Sequence, residues 1–417
     1  MKRNFPGRFI DTMGTVADEN RRTNQPKQSS RSLSFAAPTL SMVGVLLLLS
    51  LGFSSCLKQK DDGPPVVNPP GGAAVYDWKK IADSAQSSLV LFYNSTGNYY
   101  QLSNTNSNWV FYWPSAHVLD VLIDAYLRNP SPAIKNQMDN LLVGMKAQNG
   151  NTWLNFYYDD MQWMALACLR AFQATNDTRY KDIVDILWED IKKGWSSDLG
   201  GGIWWRKDNS SKNTPSNMPA AILAARLYRA FNKPEDLQWA QNIYNWQKAT
   251  LWEPVSGWVY DNIEKNGNKN TTWKFTYNQG TFLGAALELY KITNNPFFRD
   301  DAMAAADFAL NSGQLTANGI LKDEGGGDGG LFKGIFVRYF LKLITEGSLD
   351  AGKKTNYVNF LKKNGESLWS KATNKQLVLF GSGWDKQPGS SVDLTVQLSG
   401  IMLCEAMAEM KKLNLVQ

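Results

Sequence analysis

From Tyr76 onward the chain places apolar residues three and four positions apart, and no stretch sustains the alternation of a half-buried strand. The spacing predicts helices at about residues 76–93, 113–128, 132–148, 160–174, 179–193, 217–231, 235–251, 277–293, 296–311, 329–345, 354–370 and 392–411. Two kinds of helix alternate. Met161–Leu169 carries no charge, which marks a helix buried on most sides. Arg179–Lys193 instead sets Tyr180, Ile183, Val184, Leu187, Trp188 and Ile191 on one stripe against Lys181, Asp182, Asp185, Glu189, Asp190 and Lys192. Inner helices begin near 113, 160, 217, 277, 329 and 392, each after a connection rich in Trp, Gly, Asn or Asp. The turns that leave them are short, as at Thr175-Asn176-Asp177, Asn232-Lys233-Pro234 and Asn294-Asn295-Pro296. Six hairpins with long loops on one end describe an all-α (α/α)6 barrel, a closed toroid forming one catalytic domain over residues 76–417. An open solenoid of helix pairs shares the period, but long loops confined to one end favour a ring around a cleft.

Upstream the pattern changes. Basic residues precede Met42–Phe53, an apolar run too short to span a bilayer comfortably and fitting the core of a signal peptide. Phe53-Ser54-Ser55-Cys56 resembles a bacterial lipobox, with Phe53 where Leu is commoner. Residues 1–55 therefore read as a leader, and Cys56 as a lipidated residue; ordinary cleavage nearby is the alternative. Residues 56–75 form a polar Pro/Gly-rich tether. The expected location is the cell envelope, at the outer membrane, with membrane contact through the lipid alone.

Composition narrows the chemistry. Of 417 residues, 43% are hydrophobic and 12% aromatic, enough for a large core. Residues 1–55 hold seven Lys/Arg and three acids, a net of +4, leaving +2 of the total +6 for the rest. No basic tract interleaved with aromatics occurs there, so no nucleic-acid partner is expected. The single histidine, His117, lies among apolar helix formers and reads as a core or cleft-lining imidazole. Its solitude removes His-rich zinc sites, and any Ser-His or Cys-His chemistry must use it. Cys168 and Cys404 read as buried free thiols. No metal or cofactor is expected, and a monomer is the expected state.

Asn155–Asp160 (NFYYDD) leads into the fourth helix, so two acids stand at the mouth of a very apolar segment. Helix capping and the positive helix end would account for them. Three features favour catalysis instead. The pair lies at the loop-rich end of an inner helix; Trp153, Tyr157, Tyr158 and Trp163 flank it; and it supplies acid–base chemistry without histidine. Glycosidic cleavage uses two carboxyl groups, and a separation of about 5–5.5 Å suits retention through a covalent intermediate. Mutual repulsion would push their titrations apart, leaving one ionised nucleophile and one protonated acid. Mg²⁺–diphosphate binding, another use of paired acids, needs a further acid where Trp163 stands.

These residues resemble glycoside hydrolase family 76, the endo-α-1,6-mannanases, over Tyr76 to Met410. The resemblance rests on Tyr158-Asp159-Asp160 with Trp163–Ala167, Gly200–Trp205, Lys212-Asn213, Ser216-Asn217, Val259-Tyr260-Asp261, Thr276–Gly280, Asp328–Phe336 and Gln397–Gly400. It implies an (α/α)6 barrel that cleaves the α-1,6-mannan backbone with retention and no metal. It further implies Asp159 as nucleophile and Asp160 as acid/base. Met161 stands where the family often has Asn, which puts a neighbouring subsite in doubt.

The other candidates carry two readings each. In Gly200–Trp205, at least one of Trp204 and Trp205 is expected to touch sugar, against a tight turn with a core Trp. Asn217 is a ligand or an N-cap, and Asp261 a partner for a sugar hydroxyl or a solvated loop acid. Tyr277 and Gln279 suit polyhydroxyl recognition, with capping by Asn278 as the rival. Gly325–Gly330 with Lys333 lacks the GxxxxGK[ST] spacing of a phosphate loop and reads as a flexible lip, with Asp328 at the cleft. Two other functions share this pattern: a non-catalytic glycan-binding lipoprotein, and a hydrolase of another glycan on the same barrel.

Overall fold

The computed structural model describes residues 75–417; the leader, Cys56 and the tether up to residue 74 lie outside the described residues. Its helices, in chain order, are α1 (Trp78–Ser87), α2 (Tyr112–Arg128), α3 (Pro132–Gln148), α4 (Tyr158–Thr175), α5 (Thr178–Lys192) and α6 (Thr214–Phe231). They continue as α7 (Pro234–Thr250), α8 (Thr276–Thr293), α9 (Pro296–Asn311), α10 (Gly329–Glu346), α11 (Ala351–Lys371) and α12 (Leu394–Lys412). The main change from the sequence reading is at the first, where Ser88–Phe92 tightens into a 3₁₀ turn.

The short turns are built alike. Asn176, Asn232 and Asn294 close α4, α6 and α8 in the left-handed region, with φ of 57°, 55° and 52°. Asparagine tolerates that conformation better than other side chains, and each donates its amide to the carbonyl four residues back. The next residue is extended, and Thr178, Pro234 or Pro296 then opens the outer helix at its first position.

The long connections contain short strands that the sequence reading did not anticipate. Trp252–Glu253 pairs with Trp258–Val259, Thr316–Ala317 with Ile320–Leu321, Thr373–Asn374 with Leu379–Phe380, and Ser211–Asn213 with Asn262–Glu264. Tyr93–Asn94, Tyr99–Ser103 and Asn106–Trp109 form a three-stranded meander. The strands of two or three residues are too short for an alternating period to register, and the burial of Tyr99–Ser103 and Asn106–Trp109 does not alternate strictly. One carried another signal: Asn318-Gly319, at φ 52° and 74°, is the Asn-Gly pair that a tight hairpin demands.

Packing follows the two kinds of helix. α2 packs on α4, α4 on α6, α6 on α8, α8 on α10, α10 on α12, and α12 on α2. The inner α12 buries sixteen of its nineteen residues, whereas the outer α5 buries seven of fifteen. α3, α5, α7 and α9 each lie on the helix before them, and α11 lies on α10 and α12. The first helix, α1, packs against the last, so the two ends of the described chain supply that pair. Gln397 Nε2 donates to Ser88 Oγ (2.7 Å), and Gln86 Nε2 donates to Glu405 Oε1 (2.8 Å) across this seam.

Position along the inner helices assigns polar residues to layers. Counting from the first residue of each helix, Asp124, Arg170, Arg226 and Glu288 all stand thirteenth, in α2, α4, α6 and α8. Twelve residues at 1.5 Å rise put this layer roughly 18 Å below the helix starts. Arg170 pairs with Asp124 (2.6 Å) and Asp120, Arg338 with Asp124 (2.7 Å) and Asp120 (3.0 Å), and Arg226 with Glu288 (2.7 Å). The two guanidinium groups hold the buried Asp120 carboxyl well below the usual carboxylate range, against the opposing effect of burial.

Candidate active site

All the long connections lie at the N-terminal ends of the inner helices, where main-chain N–H groups and the positive ends of helix dipoles converge. Asp159 and Asp160 are the second and third residues of α4. The N-cap is Tyr157, which makes no side-chain cap, so neither acid occupies the capping position. Asp160 is 4% exposed and Asp159 half-buried. The Trp205 indole Nε1 donates to Asp159 Oδ2 (3.2 Å), and Trp205 is fixed by its own main chain. Its N–H donates to Ser211 O (2.8 Å), and its carbonyl accepts from Tyr158 N (2.9 Å).

Burial, then the charge of Asp160, push the Asp159 carboxyl well above its ordinary range. Main-chain amides at 160 and 159 and the Trp205 indole act in the opposite direction, favouring the anion. The balance describes a carboxyl pair that is costly to ionise twice.

Across from it stands Tyr277, the second residue of α8, stacked on Phe332 with ring centres 3.9 Å apart. Its phenol is pushed up by burial and then by the charges of Asp261, Asp159 and Asp328. Asp261 Oδ2 accepts from Tyr277 Oη (3.3 Å) and Asn278 Nδ2 (2.9 Å), and Asp261 Oδ1 from Asn262 Nδ2 (2.9 Å). Asp261 is therefore a buried, held carboxylate rather than a solvated loop acid, and burial raises its titration. Asp328 is exposed on the glycine lip and accepts from Trp113 Nε1 (3.0 Å).

The structure thus brings Asp159, Asp160, Trp205, Asp261, Tyr277 and Asp328 to one mouth. It removes three other candidates from it. Trp204 is 2% exposed and belongs to the core, whereas its neighbour Trp205 is the one that reaches Asp159. Asn217 is fully buried: its Oδ1 accepts from Ile203 N (2.7 Å), and its Nδ2 donates to Ile203 O (2.9 Å) and Asn213 O (2.8 Å). The N-cap of α6 is Asn213, reciprocated by Ser216. Gln279 is equally committed, accepting from Val259 N (2.7 Å) and donating to Gly257 O (2.8 Å) and Ala305 O (2.9 Å).

Asn217, Gln279 and Gln397 are all fourth in their helices, and Gln397 likewise grips Phe380 N (3.0 Å) and Val378 O (2.9 Å). An amide recurring at one register clamps the connection before each of these three helices, since buried main-chain groups must be paired. That recurrence was visible in the sequence and was the signal for a structural role.

Trp113 is the residue the sequence reading missed. It is half-buried, edge-on to His117 (5.6 Å), which lies against Trp163 (4.9 Å). Burial pushes His117 down to about 3, so the imidazole is neutral at neutral pH and lines the floor. Lys333, fifth in α10, is 1% exposed and donates to Ser382 O (2.7 Å), a structural role. Among the described residues no group of three or more His, Cys, Asp or Glu side chains is arranged to hold a metal.

The chain matches the model described as Glycosyl hydrolase family 76 over residues 77–415. A solved α-1,6-mannanase from Salegentibacter sp. HEL1_6 is 44% identical, with a TM-score of 0.78, over 80% of this chain and 100% of that one. A further structure of that enzyme holds α-1,6-mannotriose in an inactive variant with two consecutive aspartates changed to asparagine; it is 43% identical, with the same TM-score and coverage. A putative mannan endo-1,6-alpha-mannosidase of Schizosaccharomyces pombe is 25% identical over 231 residues, 51% of this chain and 52% of that protein. The chain thus spans about half the length of that curated relative.

Proposed function

The chain belongs to glycosyl hydrolase family 76, and on that premise we propose that it hydrolyses the α-1,6-mannan backbone with retention, using Asp159 as nucleophile and Asp160 as acid/base. The observation that carries the reading is the acid pair at the start of α4, Asp160 buried and Asp159 half-buried, near Tyr277 and two further carboxylates. Inactivity of the similar mannanase with two consecutive aspartates replaced supports it. The neighbour order of the inner helices, from α2 round to α12 and back to α2, supports a closed (α/α)6 barrel.

The chemistry follows from the pair. Asp160 donates its proton to the glycosidic oxygen as that oxygen's bond to the anomeric carbon breaks. The Asp159 carboxylate attacks the same carbon from the opposite face, forming a glycosyl ester. Asp160, now ionised, takes a proton from water, whose oxygen displaces Asp159 and restores the α configuration. Trp205 and the first-turn amides favour the anionic state that Asp159 must have to attack. Asp261, held by Asn278, is placed to accept from sugar hydroxyls and steadies Tyr277.

The test is incubation of the whole chain with unbranched α-1,6-mannan, followed by sizing of the products. Internal cleavage should give a ladder of short oligosaccharides and a rapid fall in polymer size. Binding without new reducing ends would identify a glycan-binding protein instead.

A further inference from the structure

The glycine loop before α6 is pinned by a lysine that the proposed chemistry leaves unused. Lys212 lies in the short ladder of Ser211–Asn213 with Asn262–Glu264, and its side chain is fully buried. Its Nζ donates to Asp198 O (2.6 Å), Gly201 O (2.6 Å), Ser196 O (3.1 Å) and Ser196 Oγ (3.1 Å). The Trp204 ring lies 4.6 Å away and the Trp246 ring 6.0 Å away. One ammonium therefore satisfies oxygens from three residues of a single loop.

That loop needs a pin. Leu199, Gly200, Gly201 and Gly202 run consecutively at φ of 57°, 80°, 128° and 87°. Leucine at positive φ is strained and persists only where its surroundings hold it. Gly202 has no room for change either, since a Cβ there would meet the Trp246 ring at 2.6 Å. The held backbone then passes through Ile203, gripped by Asn217, to Trp205, which donates to Asp159.

We propose that Lys212 is a positioning residue for the acid pair: by gripping the main chain of residues 196–201 it fixes Trp205, and so the hydrogen bond that Trp205 gives Asp159. The proposal rests on the reading of Asp159 as a reacting carboxylate. The acid facing Lys212 is Asp198, which favours the ammonium; burial outweighs it and lowers the lysine to about 8. Above that pH the amine has two hydrogens in place of three and no charge, so the grip weakens.

The experiment is a double-mutant cycle on α-1,6-mannan oligosaccharides with Lys212→Met, Trp205→Phe and both together, each followed from pH 5 to 10. Each single change should lower kcat on the order of tenfold, the loss of one hydrogen bond to a charged group, with KM little altered. The double variant should be no slower than the slower single, because both act through one contact. The parent's loss of kcat above about pH 8 should be absent in Trp205→Phe. Multiplying effects, or a Lys212→Met protein as fast as the parent, would overturn the proposal. Hydrogen exchange on the unaltered chain tests the same point even where Lys212→Met does not fold. Amides at 196–205 should lose protection above about pH 8 relative to those in mid-α4, and unchanged relative protection refutes the pin. A parent inactive on mannan would refute the mannanase reading, while this exchange result still decides whether Lys212 holds the loop.

Discussion

Replacing Asp160 with Ala is expected to cost about 10²–10⁴-fold in kcat on α-1,6-mannan, the range for lost proton donation. On an α-mannoside with a good leaving group, such as dinitrophenolate, which departs without a proton, the loss should nearly vanish in kcat/KM, while kcat stays low because Asp160 is also the base that activates water in the second step. Asp159→Ala should abolish turnover on both substrates, because nothing replaces the carboxylate that attacks carbon. The contrast assigns the roles, and a leaving group that rescues Asp159→Ala but leaves Asp160→Ala slow would reverse them. The pH dependence has a definite sign. Asp159 must be ionised to attack, and burial raises its titration, so activity should fall on acidification already above the usual carboxylate range. Stability moves the other way. A carboxyl raised in the fold binds protons more readily there than in the unfolded chain, so its ionised form is a cost at neutral pH. Asp159→Asn should therefore melt at a higher temperature than the parent at pH 7, with the gain shrinking as acid protonates the parent.

The second large effect lies roughly 12–18 Å below the helix starts by helix rise. Arg338→Met is expected to destabilise the fold by about 3–5 kcal/mol, because it leaves Asp120 and Asp124 buried with Arg170 alone. Urea denaturation at pH 7 measures it. Asp120 is depressed in the fold, so its contribution is present above the unfolded carboxylate range and is lost as pH falls through and below it. The gap between parent and variant should accordingly narrow in acid. Activity per folded molecule at 25 °C should change little, since the layer joins α2, α4 and α10 far from the acids. A variant as stable as the parent would show that the ion pairs add nothing to the fold.

How much of this was readable in the residues differs from element to element. The inner helices were legible because burial on every side leaves an unbroken apolar signature, as in Met161–Leu169. The acid pair stood out because two charges at the edge of such a segment need a reason. Gln279 and Asn217 misled because an amide that grips a peptide and one that grips a sugar hydroxyl have the same chemistry; their shared register, fourth in the helix, separates them. Trp204 and Trp205 were indistinguishable in sequence; burial of one and the indole contact of the other to Asp159 separate them. Trp113 and Lys212 gave no local cue, since each matters through partners distant in sequence: Asp328 for one, the 196–201 loop for the other.

The pair's role is tested most directly by the configuration of the first product. Proton NMR of an α-1,6-linked mannooligosaccharide digest, read within the first minutes, should show the new reducing end as the α anomer, with β appearing only as mutarotation proceeds. Initial release of the β anomer would mean a single displacement by water, and Asp159 would not be the nucleophile.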